Sequence, residues 1–183
     1  MIGALDREHG LPTGRFTSPH LHSMRERIAV DGEPVSAEVL VETWEEVAPI
    51  IEMVDARSAA EGGPRMTFFE VLVVLAYAVF ADAPVDVAVV EVGMGGRWDA
   101  TNVADGDVAV VTPIDIDHTH FLGSTAEEIA FEKAGIVKPG AVLVTAAQDE
   151  AVAAILTDRC DEVGARRYAA DEEFAVTDRE VAL

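Results

Sequence analysis

Residues 85 to 102 read VDVAVVEVGMGGRWDATN, and the fold follows from how this stretch changes character along its length. It opens on a valine-rich run at 85 to 90, the pattern of a strand buried on both faces, which is how the strands of parallel sheets read. A carboxylate, Glu91, follows directly, and then a glycine-rich turn holding Gly93, Gly95 and Gly96. Ligands of open α/β sheets bind at the carboxyl ends of the strands, so Glu91 is placed to meet one. A carboxylate oxygen there can hold a divalent cation.

Working outward, the same alternation continues. Residues 1 to 10 read as the tail of an amphipathic helix closing on Gly10. RFTSPHLHS is a short extended piece running into a polar loop, Asp31-Gly32 marks a turn, and Ser36 caps a helix to about Val54. Thr67 and Glu70 form a capping box for an apolar helix that leads into the strand at 85 to 90. VAVVTPI at 108 to 114 is a second buried strand. Ser124 with Glu127 caps a helix ending at Gly135, AVLV at 141 to 144 is a third strand, and Gln148 to about Val163 is a further helix. The last ten residues can start another strand. This order predicts an α/β fold, a parallel sheet flanked by helices in one compact unit.

Composition narrows the partners. Thirteen Lys and Arg against 34 Asp and Glu give a net charge of −21, which repels nucleic-acid backbones and anionic membrane surfaces. An anionic ligand needs local cations or a metal to offset that field, and Arg25, Arg27, Arg97, Lys133 and Lys138 are the candidates. One cysteine, Cys160, excludes an internal disulfide framework, and no charged-then-apolar leader precedes the first motif, so the expected compartment is cytoplasmic. The most apolar stretch, Val71 to Ala81, is far shorter than the roughly 20 residues of a membrane span.

TSPHL at 17 to 21, T-x-F-E at 67 to 70, EVGMGGRWDATN at 91 to 102, DHTHFLG at 117 to 123 and EKAGIVK at 132 to 138 together resemble, in order, the folylpolyglutamate synthase and dihydrofolate synthase family. These are Mur-ligase-like, ATP-dependent, amide-forming ligases. The resemblance runs from the first residue to at least Val144 and implies the P-loop NTPase-like central domain of such a ligase. Family members carry a G-x-x-G-K-[ST] phosphate loop just upstream of the helix matched by MIGAL, and a C-terminal Rossmann-like domain that closes over glutamate. Neither has a counterpart in residues 1–183, so the chain reads as a partial central domain.

Each candidate residue has a structural reading beside the one the resemblance implies. Glu91 is by position a charged strand end; the resemblance makes it a ligand of the catalytic Mg²⁺. His118, just past the second strand, reads alone as a surface histidine; the resemblance makes it a second metal contact, and gives His120 no role. Lys133 in the last turn before Gly135 stabilises the helix dipole. The resemblance implies instead that it is carbamylated and ligates a second Mg²⁺. Thr17, Ser18, Pro19 and His20 are a proline-restricted loop, or, by resemblance, a loop over the active site touching the pterin. Thr67 and Glu70 have the capping box as a sufficient reason. The resemblance adds that Phe69 and Glu70, and with them Trp98, line the pteridine pocket, where a ring can stack. Arg97, Asp99 and Asn102 fix the glycine-rich loop at the substrate.

The activity implied is ATP-driven activation of a carboxylate of dihydropteroate or of a folate γ-glutamyl tail as an acyl phosphate, which the amine of L-glutamate attacks. Catalysis is then positioning and charge neutralisation by Mg²⁺, without a side-chain nucleophile. Two other readings stand beside it. One is a peptidoglycan-precursor Mur ligase, against which TSPHL and R-W-D-A-T-N speak. The other is a non-catalytic remnant binding pterin or a partner protein, and the reading frame upstream of Met1 separates it from a truncated enzyme.

Overall fold

The computed structural model describes residues 1–116 and 122–175. The chain divides into two compact units, Met1–Gly93 and Met94–Leu183.

The first unit runs α1 (Ile2–Glu8), β1 (Thr13–Phe16), β2 (Ile28–Val30), β3 (Glu33–Pro34), α2 (Ala37–Ala60), α3 (Phe68–Asp82) and β4 (Val87–Val90). Its sheet has the order β3-β2-β1-β4, with β4 parallel to β1 and the β2–β3 hairpin antiparallel. Asp31 and Gly32 turn that hairpin with positive φ at both residues, the backbone that tight two-residue turns need. Phe16, Ile28, Leu72, Leu75 and Val79 are buried in its core. Gly14 is glycine for a reason of space, because a Cβ there would meet the Phe80 ring at 2.8 Å. Along α2 the buried residues Leu40, Thr43, Val47 and Ile51 recur at helical spacing, so one stripe faces inward.

The second unit contains a short 3₁₀ turn (Ala100–Val103), then β5 (Val108–Val111), α4 (Ala126–Ala134), β6 (Val142–Thr145), α5 (Glu150–Val163) and β7 (Arg166–Ala169). Its three strands, in the order β5-β6-β7, are all parallel. Ala109, Val111 and Leu143 pack with Ala130, Ala134 and Val137 from α4 and its end, and with Val152, Leu156 and Cys160 of α5.

The α/β class with parallel strands and flanking helices is therefore present, but it is laid out differently from the sequence reading. Among the described residues there are two sheets, and the first is mixed. β7 (RRYA) is a strand that the sequence hides, because it shows no hydrophobic run, and β1 (TGRF) begins two residues before the extended piece read from Arg15. β4 is not buried on both faces: it lies at the edge of its sheet and Ala88 is exposed. The cap of α4 sits one residue later than read, with Thr125 accepting the Glu128 N–H and Glu128 accepting the Ser124 N–H. Helix α2 continues to Ala60, and α5 begins at Glu150 and leaves Gln148 outside it. Of the last ten residues, 176–183 lie outside the described residues. Among those described, no helix is long and apolar enough to cross a membrane.

Candidate functional site

In the first unit the site is built where β1 and β4 end. The Glu91 N–H donates to the Phe16 carbonyl at 3.0 Å, extending the parallel ladder by one step and placing Glu91 at its carboxyl end. The Ser18 N–H donates to Glu91 Oε2 at 2.8 Å, tying the TSPHL loop to this carboxylate. Oε1 has no protein partner among the described residues. A carboxylate with one oxygen held and one free suits a hard cation.

The loop itself is fastened by a residue the sequence reading passed over. Glu26 accepts the backbone N–H groups of Leu21 (2.9 Å), His22 and Ser23 (2.8 Å). These donors, with Leu21 and Ser23 foremost, hold its carboxyl below the usual carboxylate range. The Thr17 N–H donates to the Arg27 carbonyl at 2.9 Å, and Arg27 Nε donates to His20 Nδ1 at 2.9 Å. The signal was there: Ser23 and Glu26 form a capping box around the 3₁₀ turn Met24–Arg27, three residues apart as such boxes require.

At the start of α3, Glu70 Oε2 accepts both the N–H and the hydroxyl of Thr67, so this carboxylate is engaged in the cap. The half-buried Phe69 ring lies 5.8 Å from the Phe16 ring at a 55° tilt.

In the second unit, the glycine-rich loop is clipped to the end of α4. The Arg97 N–H donates to the Glu132 carbonyl at 2.9 Å. Asn102 Nδ2 reaches both the Arg97 carbonyl (3.1 Å) and the Gly135 carbonyl (3.2 Å). Lys138 Nζ donates to the Asn102 carbonyl at 2.7 Å, so this lysine, counted among the candidate cations for an anionic ligand, belongs to the clip. The approach is so close that a Cβ on Gly96 would come within 2.7 Å of the Glu132 carbonyl oxygen. Asp99 accepts from Met94 N and from Thr101 N, which closes the loop on itself. The Arg97 guanidinium lies 4.2 Å from the Phe131 ring centroid, within cation–π range. Trp98, 86% exposed, projects from the loop. Lys133, half-buried in the last turn of α4, makes no side-chain hydrogen bond or ion pair among the described residues. Gln148 holds the chain leaving β5, accepting from Ile114 N and donating to the Thr112 carbonyl.

The structure thus brings Ser18 to Glu91 and His20 to Arg27 in one unit, and Arg97 and Asn102 to the end of α4 in the other. Asp117 and His118 lie outside the described residues, and no cluster of three or more His, Cys, Asp or Glu able to hold a metal occurs among those described. Sequence reasoning missed Gln148 because its partners are backbone groups brought near by a loop, which no periodicity encodes, and missed Glu26 although its capping-box spacing to Ser23 was legible.

A model of the Mur ligase middle domain matches residues 44–181. The chain belongs to the Mur ligase middle domain family. Within it the chain is similar to folylpolyglutamate synthases and dihydrofolate synthases. The dihydrofolate synthase/folylpolyglutamate synthase of Mycobacterium tuberculosis is 48% identical over all of this chain, which spans only 39% of that relative's length. The solved structure of Mycobacterium tuberculosis folylpolyglutamate synthase complexed with ADP and AMPPCP matches with a TM-score of 0.92 at 48% identity, covering 100% of this chain and 42% of its own. A folylpolyglutamate synthase complex with AMPPCP and folate matches at 34% identity with a TM-score of 0.90, covering 99% of this chain and 43% of its own.

Proposed function

We propose that this chain is the metal- and pterin-handling portion of a cytoplasmic ATP-dependent ligase that adds L-glutamate to dihydropteroate or to folyl-(poly)glutamate. The observation that carries the reading is the Ser18 N–H to Glu91 hydrogen bond, because it joins the TSPHL loop to the one carboxylate at the end of the β1–β4 ladder. The whole-chain likeness to folylpolyglutamate synthases, one of them bound to AMPPCP and folate, supports it.

In this reading Glu91 and His118 would hold the catalytic Mg²⁺ and a carbamylated Lys133 a second one, and the metal would supply charge neutralisation for the transferring phosphoryl group. Glu91 offers its free oxygen while Ser18 fixes the other. Thr17 to His20 and Phe69 orient the pterin, and the Asn102 clip keeps the glycine-rich loop and the last turn of α4 in one arrangement. The acceptor carboxylate becomes an acyl phosphate, and the glutamate amine displaces phosphate to form the amide. None of the 183 residues forms a G-x-x-G-K-[ST] loop, so no contact with the ATP β and γ phosphates is assigned to this chain, and the polypeptide by itself should not turn over ATP.

The test is ADP release by the protein expressed from its whole reading frame, with Mg²⁺, glutamate and dihydropteroate or tetrahydrofolate. The reading expects release that needs both the pterin and glutamate and falls by orders of magnitude in Glu91→Gln and His118→Ala with little change in melting temperature. Lys133→Ala should be partly restored by a short-chain carboxylate. Release indifferent to pterin would end the folate assignment.

A further inference from the structure

We propose that Gln148 is a positioning residue for metal handling: its side-chain amide stands in for a rung of the β5–β6 ladder and sets the direction in which the chain leaves β5 toward His118. The proposal rests on the ligase reading above, in which His118 contacts Mg²⁺. It goes beyond that reading by giving a role to a residue that lies outside every motif of the family resemblance. Gln148 is half-buried in the connection between β6 and α5. It does not serve the helix, since Asp149 is the N-cap residue of α5 and that cap makes no side-chain hydrogen bond.

The ladder shows why an amide is needed there. Val108 pairs with Val142 and Val111 with Thr145. In this register the Val142 N–H donates to the Asp107 carbonyl and the Ala146 N–H to the Val111 carbonyl, both at 2.9 Å. A residue in a parallel ladder donates to one neighbour-strand carbonyl and accepts the N–H two residues further along, which for the Ala146 carbonyl is that of residue 113. Residue 113 is proline and has no N–H. Side chains take over at this point. The Thr145 hydroxyl donates to the Ala146 carbonyl at 3.0 Å. Gln148 Nε2 donates to the Thr112 carbonyl at 3.0 Å and to Thr145 Oγ1 at 3.1 Å, and Gln148 Oε1 accepts the Ile114 N–H at 3.0 Å.

One side-chain amide thus bonds the carbonyl before Pro113 and the N–H after it, as a paired backbone unit does in a parallel ladder. Both of its N–H donors are used, and exchanging its oxygen and nitrogen would set donor against donor at Ile114. Lysine has no acceptor, a glutamate carboxylate has no donor and asparagine is one methylene shorter, so the position calls for glutamine. These bonds fix Thr112 and Ile114 to the end of β6, and Asp115 Oδ1 accepts the next N–H, that of Ile116, at 2.7 Å. His118 comes four residues after Ile114 in the chain, so the direction taken at Pro113 governs the start of the segment that carries it. Groups one step removed from a metal ligand set affinity through that ligand's orientation.

The experiment has two arms. In the 183-residue protein, amide hydrogen exchange at Ile114 should be about tenfold faster in Gln148→Ala, as expected for one lost hydrogen bond, while Val142 within the ladder keeps its native rate. In the protein expressed from its whole reading frame, ADP release driven by the pterin substrate and glutamate is followed against free Mg²⁺. Gln148→Ala should need about tenfold or more Mg²⁺ for half-maximal release, the range for partners of metal ligands. The KM for the pterin substrate should stay unchanged and the melting temperature should fall by only a few degrees. Gln148→Glu should do no better than Gln148→Ala, because it meets the Thr112 carbonyl without a donor. Thr145→Val should raise the Mg²⁺ requirement in part, and Thr145→Ser, which keeps the hydroxyl, should recover most of that loss. Native exchange at Ile114 in Gln148→Ala, an unchanged Mg²⁺ requirement, or one that moves together with the pterin KM overturns the positioning role and leaves the ligase reading standing. Native behaviour of Gln148→Glu overturns it too. A native whole-frame protein that releases no ADP removes the ligase reading, and this proposal with it, before any variant is compared.

Discussion

Glu26 and Gly135 each decide local geometry through atoms that no hydrophobic pattern records. Glu26 has its carboxyl depressed by the Leu21, Ser23 and His22 N–H groups, so its contribution is present above the unfolded carboxylate value and is lost as pH falls through the folded one. The Leu21 and Ser23 amide signals should therefore shift only at pH below the ordinary carboxylate range, and Glu26→Gln should remove the transition. An NMR titration in which those amides change at or above the usual glutamate value would contradict this. Gly135 adopts an ordinary right-handed helical backbone, where alanine normally helps by removing chain entropy. Here a Cβ would sit 2.5 Å from Arg97 Cβ and 2.6 Å from Arg97 Cα, and the backbone carbon cannot swing aside as a side-chain tip could. Gly135→Ala should destabilise by about 1–3 kcal/mol, the range of an overpacked site. A urea midpoint equal to or above that of the native chain would show that the loop yields.

Among the elements, α2 carries the clearest conflict between local preference and observed structure. It is a 24-residue helix with Pro49 in its middle, where proline removes one intrahelical hydrogen bond and crowds the preceding turn. The inward stripe of Leu40, Thr43, Val47 and Ile51 keeps it helical across that defect, since packing outweighs propensity in a helix of this length. Pro49 is exposed, so replacing it costs no core contact. Pro49→Ala should raise stability by about 1–3 kcal/mol, up to the full interior penalty of proline. Thermal unfolding gives the answer, and an unchanged melting temperature would mean the helix has already relaxed around the residue.

On the scale of the whole molecule, each sheet has a parallel strand at an edge, β4 in one and β5 in the other. In the second unit α4 and α5 both pack on the face of Ala109, Val111 and Leu143, and the opposite face presents Val108 and Val110, 58% and 48% exposed, with Tyr168 in register with Val110 through Val144. Parallel sheets are ordinarily covered on both faces, and exposed apolar strand edges invite association. The 183-residue polypeptide on its own should self-associate at tens of micromolar. Val108→Lys with Val110→Thr should shift sedimentation toward monomer while changing stability by less than about 1 kcal/mol, as surface changes do. A native chain that sediments as a monomer throughout that range would refute the idea.

The sequence by itself determined the helices with strong caps, the strands at 87–90, 108–111 and 142–145, and the placement of Glu91 at a strand end, because capping boxes, valine runs and glycine turns act over a few residues. It also determined the family, since ordered motifs such as TSPHL and EVGMGGRWDATN survive as strings. Only the tertiary structure decided that RRYA is a strand, that TGRF pairs with both β2 and β4, that β4 lies at an edge, that Glu26 fastens the TSPHL loop and that Lys138 closes a clip on Asn102. Those outcomes depend on partners from 3 to 74 residues away in the chain, as Ser23 with Glu26 and Thr13 with Val87 show. A backbone N–H or carbonyl has no identity in the sequence, so which side chain it meets is settled when the segments pack.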